Sequence, residues 1–491
     1  MNKEISRLGL VGLSLIIALI VATTYWQTWA AASLAAKQDN AIQRVAQFQI
    51  KRGLIQTNAG RVLLAANVRK KVNGQTLYFR RYPARGLLAQ TVGYSTQVRS
   101  QTGLEKSEND YLTGANANLD TVLRTVLDKL KGATITGNNL FLTVRPRAQR
   151  IALDALGSQC GAVVALEPST GKVLVIASSP TFNPNLVEHN FAAIGRIRAG
   201  CQPASPLLNR ATAGLYPPGS SFKVVTAAAA LDTGRYTPDS SFYDPGYCIE
   251  YGKHVKNFGD QSPEAFGTVD FSFALEHSIN AVFCNVGKAL GAGTILDYAK
   301  RFGFYDPPPL ETPTNERAAS GLYKNGGLFS PKHDYQVDPG RLAFGQERML
   351  VTPLQMAMVA GGIANGGVVM KPHVVDRVVA PNGSVVTRTK PKELGRVIKP
   401  KTAAELNSMM QLVVEGGTGT AAQIPGIAVA GKTGTAETGN SSINTTWFIA
   451  FAPAEAPKVA IAVVLQNQSG AGGTTAAPIA KTVMQALLSS S

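Results

Sequence analysis

Apolar positions divide the chain into three unequal stretches. From residue 8 to residue 36 no charged side chain occurs, and 8–22 is almost wholly aliphatic. Carried through Tyr25, the run is long enough to cross about 30 Å of hydrocarbon as one helix, so the pattern predicts a transmembrane anchor over 8–29 behind a short N-terminus, 1–7. Residues 37–139 show short apolar runs broken by Gly, Asn and Arg, which reads as mixed strand and loop. At Leu140-Phe141-Leu142-Thr143-Val144 a strand is predicted, and 148–156 has helical apolar spacing. A boundary is placed there, giving a smaller domain at 30–139 and a larger one at 140–491.

Within the larger domain, the apolar runs 162–166 and 173–177 flank Glu167-Pro168-Ser169-Thr170-Gly171, a β-hairpin with turn residues at its tip. Residues 447–452 and 458–465 form a second predicted strand pair, followed by a helix over 477–488. Strands flanked by alanine-rich helices imply an α+β layered domain. The Gly-rich stretch 469–473 reads as a loop, not a phosphate cradle, and there is no internal repeat.

Charge then fixes orientation and compartment. Lys3 and Arg7 precede the apolar run with only Glu4 opposing, which keeps the N-terminus cytoplasmic; Tyr25, Trp26 and Trp29 fall where an interfacial aromatic belt belongs. The catalytic part is therefore expected outside a cell membrane that the chain crosses once. A cleaved secretory signal is the alternative, since Ala30-Ala31-Ala32 and Ala35-Ala36 offer small residues; either reading exports the protein. The net charge of +17 suits an anionic polymer or surface, but scattered cations without a nucleic-acid motif argue against nucleic acid. Four cysteines, Cys160, Cys201, Cys248 and Cys284, permit one or two disulfides in an oxidising compartment, with buried free thiols the alternative. Cys248 is the candidate partner for Cys284. No CxxC occurs, and His189, His254, His277, His333 and His373 lack HExxH spacing, so neither metal nor cofactor is expected.

The candidate chemistry begins at Tyr216-Pro217-Pro218-Gly219-Ser220-Ser221-Phe222-Lys223, a Pro/Gly turn leading into an alanine-rich helix. Ser220 at the helix start, with Lys223 three residues on, places an amine beside a hydroxyl. A serine becomes nucleophilic when a neighbouring base takes its proton, and a desolvated lysine can be that base. The helix N-terminus can stabilise an oxyanion beside it. Alone, SxxK is a short pattern that recurs by chance, and a helix cap with a surface lysine is the better explanation of it.

Two further motifs in order change that balance: Ser278-Ile279-Asn280 and Lys432-Thr433-Gly434-Thr435. The set SxxK, SxN and KTG resembles that of serine β-lactamases and penicillin-binding proteins, here with Ile279 replacing the usual middle Asp. Chemistry assigns the roles. Ser278 can relay a proton between Lys223 and a leaving amine, and the Asn280 amide can hold a substrate peptide group. Lys432 supplies fixed positive charge, while Thr433 and Thr435 can hydrogen-bond a substrate carboxylate. The N–H groups of Ser220 and Thr435 can form an oxyanion hole, and Gly434 leaves room for substrate backbone.

Over nearly its whole length the chain is similar to class B penicillin-binding proteins, above all the PbpA-type D,D-transpeptidases of actinobacteria. Outside the three motifs the resemblance rests on Arg52-Gly53-Leu54-Ile55, Arg81-Tyr82-Pro83, Val92-Gly93-Tyr94, Thr102-Gly103-Leu104-Glu105, Phe344-Gly345-Gln346, the run Thr352-Pro353-Leu354-Gln355-Met356-Ala357, and Ala364-Asn365-Gly366-Gly367. Gln56-Thr57-Asn58-Ala59 departs from the usual charged residues after the first of these. The resemblance implies a penicillin-binding transpeptidase domain, with a central antiparallel sheet between helices, on a pedestal. It also implies acylation of Ser220 by the D-Ala-D-Ala end of a peptidoglycan stem peptide or by a β-lactam, and transfer of the peptide acyl group to an amine on a neighbouring strand. A membrane glycosyltransferase of the shape, elongation, division and sporulation type is the implied partner. Hydrolysis by a D,D-carboxypeptidase or β-lactamase, and penicillin sensing, are the rival activities; pedestal residues such as Tyr82 and Glu105 are expected to be structural.

Overall fold

A strand buried on both faces loses the alternation of apolar and polar residues, which is why 444–468 reads as two nearly continuous apolar runs. The computed structural model describes residues 2–28, 48–59, 61–97, 99–115, 121–122, 126–127, 130, 133–257, 265–437 and 443–489. The principal elements in chain order are α1 (Asn2–Thr28), β1 (Ile55–Thr57), β2 (Leu63–Val72), β3 (Gln75–Arg81), β4 (Asn139–Leu142), α2 (Pro146–Leu156), β5 (Gly161–Leu166), β6 (Val173–Ser179), α3 (Lys223–Asp232), α4 (Asn280–Leu290), α5 (Pro353–Ala364), β7 (Val375–Val379), β8 (Val385–Arg388), α6 (Pro400–Glu415), β9 (Ala430–Glu437), β10 (Asn444–Ala452), β11 (Val459–Gln468) and α7 (Gly472–Leu488).

The main sheet has five strands in the order β9-β10-β11-β5-β6, all neighbours antiparallel. One face, carrying Phe448, Ala450, Ile461 and Val463, packs on Ala148 and Ala152 of α2 and Ile479 and Val483 of α7. The other, carrying Trp447, Ile449, Ala460 and Ala462, joins a larger core that includes α3, α4 and α5. This is the α+β architecture expected. Helix α5 is buried all round; Thr352 caps it by accepting from Gln355 N (3.2 Å), and Pro353 stands at the first position, where its missing N–H costs nothing. The helix expected at 477–488 starts earlier, at Gly472. A Cβ on Gly472 would stand 2.3 Å from the Trp447 carbonyl oxygen and 2.4 Å from that of Gly434, so only glycine lets α7 begin against the sheet; the Gly-rich stretch thus serves as a helix start.

A second sheet, ordered β8-β7-β4-β1-β2-β3, holds the pedestal. Here β1 pairs in parallel with β4, and β4 pairs with β7 from far along the chain. The strand at the expected boundary is therefore shared by pedestal and catalytic parts. In the pedestal interior, Glu105 is fully buried. It accepts from Arg52 Nη2 at 3.0 Å and Arg80 Nε at 2.7 Å, while Arg52 also reaches Asn109 Oδ1 at 2.7 Å. Tyr82 OH accepts from Ser95 N at 2.7 Å. These pedestal residues are structural, as expected.

Two disulfides are formed, Cys160–Cys201 and Cys248–Cys284, so the alternative of free thiols is excluded and the second pairing is as anticipated. Helix α1 projects aliphatic side chains outward; Leu10, Leu15 and Leu19 are each about two-thirds exposed. Among the described residues no helix is long and apolar enough to cross a membrane. The side chains of Leu8 and Trp26, and all of Trp29, which belong to the expected anchor, lie outside the described residues.

Removing one partner of a buried ion pair leaves uncompensated charge behind, at a cost of about 3–5 kcal/mol. Glu105→Ala, which strands both Arg52 and Arg80, is expected to lower unfolding stability by that amount in urea titrations. A loss under about 1 kcal/mol would contradict the structural role given to this carboxylate.

Candidate active site

The nucleophile turn is held from three sides. Gly219–Phe222 forms one 3₁₀ turn ahead of α3; with about three residues per turn, Lys223 stacks over Ser220 on one face. Gly219 has φ +51°, and a Cβ there would lie 2.6 Å from the Thr435 carbonyl oxygen. Its N–H donates to Gly345 O at 3.2 Å, and Trp447 Nε1 donates to Pro217 O at 2.9 Å. Gly434 lies on the other side of the same contact: a Cβ would stand 2.7 Å from Pro218 O and 3.0 Å from Ser221 N. The room expected at Gly434 for a substrate is therefore occupied by the nucleophile turn.

Lys223 is completely buried. Its Nζ donates to Ser278 O at 2.6 Å and to Asn280 Oδ1 at 2.7 Å, and lies 3.3 Å from Ser278 Oγ. The first two partners can only accept. A neutral amine satisfies them with two N–H bonds and keeps its lone pair for a hydroxyl. Burial, followed by repulsion from Lys432, pushes the Lys223 pKa well below the ordinary lysine value. Among the described residues Ser220 Oγ has no hydrogen-bond partner, so the Lys223 amine is not yet bonded to it.

Asn280 opens α4, and its Nδ2 donates to Lys256 O at 3.0 Å, committing one of the two N–H groups assigned to substrate. Ser278 carries φ +59°, a conformation few non-glycine residues adopt, and one that clusters at functional sites. Ile279 is 1% exposed and joins the core, which explains why an apolar residue is accepted between the two polar ones.

On the edge strand β9, Lys432 is also completely buried, donating to Thr433 O at 3.1 Å. Burial pushes its pKa down to about 7. Its charge is therefore conditional, which corrects the expectation of a fixed cation. Thr433 and Thr435 face a cleft of about 690 Å³ also lined by Ser220, Ser278 and Asn280, a size that suits a small ligand or peptide end. Thr433 Oγ1 pairs with Thr418 Oγ1 at 2.7 Å, and Gly472 N donates to Thr435 Oγ1 at 3.2 Å.

Known proteins resemble this chain over most of its length. Residues 161–485 match the penicillin binding protein transpeptidase domain, and 52–140 match the penicillin binding protein A dimerisation domain. The peptidoglycan D,D-transpeptidase PbpA of Mycobacterium tuberculosis is 36% identical over 99% of both chains, and that of Mycolicibacterium smegmatis is 35% identical over 99% of both. A structure of penicillin-binding protein A from M. tuberculosis, as its ceftriaxone acyl-enzyme, superposes with TM-score 0.79 at 35% identity, covering 90% of this chain and all of that one. This chain belongs to the PbpA-type penicillin-binding transpeptidases.

For this transpeptidase, all eight expected site residues converge, although Lys223, Lys432 and Gly434 stand behind the cleft surface and do not line it. Sequence reasoning missed Thr418 and Trp447, which lie outside the three motifs. Phe344 and Gln346, noted only as part of a resemblance, line the cleft. His277 lines it too, stacked 3.9 Å from the Phe273 ring centroid, with Nδ1 buried and unpaired. The atoms of Cys248, Glu250 and Cys284 lie within 4.8 Å of one another, but both sulfurs are in the disulfide, so no thiolate ligand is available there.

The depressed Lys432 pKa makes stability pH-dependent. Between pH 7 and 10.5 the unfolded chain holds a proton on Lys432 that the folded chain has released, so this group's contribution to stability rises with pH across that window. Lys432→Met, which has no buried amine to ionise, is expected to melt above the parent at pH 7, with the margin shrinking toward pH 10. A margin that does not change with pH in paired thermal melts would contradict the assignment.

Proposed function

We propose that this chain is a membrane-anchored peptidoglycan D,D-transpeptidase whose catalytic part lies outside the cytoplasmic membrane. The observation carrying the reading is the convergence of Ser220, Ser278, Asn280, Thr433 and Thr435 on one cleft, around a buried lysine amine that has no carboxylate partner among the described residues and whose pKa burial lowers well below the ordinary lysine value. Lys223 takes the Ser220 proton as Oγ attacks the carbonyl of a D-Ala-D-Ala terminus. Hydrogen bonds in such sites often tighten only when substrate arrives. The N–H groups of Ser220 and Thr435 receive the oxyanion, and Ser278 passes the proton to the departing D-alanine amine.

The terminal carboxylate binds Thr433 and Thr435, and its negative charge favours protonation of Lys432 behind them. A stem-peptide amine from a neighbouring strand then attacks the Ser220 ester, restoring the serine and forming the cross-link. β-Lactams acylate the same hydroxyl, as the ceftriaxone, imipenem and penicillin G acyl-enzymes of the M. tuberculosis protein support. The uncharged run beginning at Leu8 and the outward aliphatic side chains of α1 support an anchor, since a helix apolar all round belongs inside protein or lipid. A glycosyltransferase of the shape, elongation, division and sporulation type is the partner this anchor and pedestal would meet.

Ser220→Ala is expected to abolish covalent labelling by a fluorescent penicillin, and Lys223→Ala to slow it by about 10⁴- to 10⁶-fold; labelling of the serine variant at the parental rate would refute the nucleophile. With a stem-peptide donor and an amine acceptor, a cross-linked product is expected, whereas hydrolysis alone would make the protein a carboxypeptidase.

A further inference from the structure

Among the described residues the cleft holds one carboxylate, and the proposed chemistry gives it no task. Glu437 ends β9 and lines the same cleft as Thr433 and Thr435. Alternate residues of a strand share a face, so these three side chains form one row. Glu437 is exposed, and among the described residues its carboxylate has neither hydrogen bond nor ion pair. Among the described residues no other acidic side chain lines the cleft, in a protein whose net charge is +17.

The direction of the strand says what Glu437 meets. Because β9 is the edge of its sheet, an extended peptide can add alongside it. With the terminal carboxylate at Thr433 and Thr435, and the scissile carbonyl at Ser220 and the Thr435 N–H, the acyl half of the donor continues past Thr435. Glu437 lies two residues further on, about 7 Å along the strand, beside the donor residue third from the C-terminus. Donor and acceptor come from the same polymer. If the acceptor strand carries a reactive side-chain amine, an unreacted donor carries one as well.

We propose that Glu437 is a specificity-determining residue that binds a side-chain ammonium on the third residue from the C-terminus of the donor peptide. This rests on the transpeptidase reading above, and selects donors whose amine is still free. An acylated or already cross-linked amine offers no charge and is a poorer donor.

The test uses the full-length protein in detergent and two peptides ending in D-Ala-D-Ala, with lysine third from the C-terminus, its ε-amine free in one and acetylated in the other. The ratio of their second-order rate constants for D-alanine release is the readout, so any change common to both cancels. The parent is expected to favour the free amine by about 3- to 10-fold at low salt, fading at about 0.5 M salt as a partly exposed ion pair does. Glu437→Gln should bring the ratio to one, and Glu437→Lys should invert it. Equal rates in the parent, or a preference that survives Glu437→Gln, would overturn the proposal. Fluorescent penicillin is run in parallel. Parental labelling without D-alanine release from either peptide would overturn the transpeptidase reading and this proposal with it; release without preference would overturn this proposal alone.

Discussion

Two lysine amines buried in one site, with no carboxylate paired to either among the described residues, set the terms for the rest of the structure. Burial disfavours their charged forms, and that lowers the Lys223 pKa well below the ordinary lysine value and makes Lys432 a group whose charge depends on what binds beside it. A carboxylate close to either amine would hold it protonated and remove that function. The fold therefore satisfies Lys223 with oxygens that carry no full charge, Ser278 O and Asn280 Oδ1. Such an arrangement lowers stability locally, as functional sites commonly do.

Holding these amines dry requires close backbone packing around the nucleophile. The Pro218–Gly219 turn lies against Gly434 and Thr435 so tightly that neither glycine could carry a Cβ, while Trp447 from the next strand hydrogen-bonds Pro217 O. Through these contacts Ser220 is registered to the main sheet and not merely to its own helix. Ser278 and Asn280 are registered separately: the Cys248–Cys284 bond joins α4 to the hairpin whose Lys256 carbonyl takes the Asn280 amide. Three chain segments far apart in sequence thus meet with little freedom, which is what acyl transfer requires of nucleophile, base and relay.

The pedestal is joined to this machinery by backbone. Strand β4 pairs with β1 on one side and β7 on the other, so the pedestal sheet includes strands from both parts of the chain. Glu316 adds a contact across the same junction by accepting from Gly103 N at 3.0 Å. Glu105 and its two arginines organise the pedestal interior, a role that explains why charged residues there resemble catalytic ones by composition but stand apart from the cleft.

The sequence by itself determined the elements with strong local signals: the hairpin at 162–177, the strand pair at 447–465, and the three polar motifs in order. Each depends on turn chemistry or apolar runs that neighbouring residues settle among themselves. It left the Cys160–Cys201 pairing, the sharing of β4, the early start of α7 at Gly472, and the places of Thr418, Trp447 and Glu437 undecided. Tertiary packing decided those, because they depend on which distant backbones come together. The clearest case is Lys432. Its residue type promised a fixed positive charge, yet whether a lysine is charged depends on how much water reaches it, and only the folded sheet excludes that water.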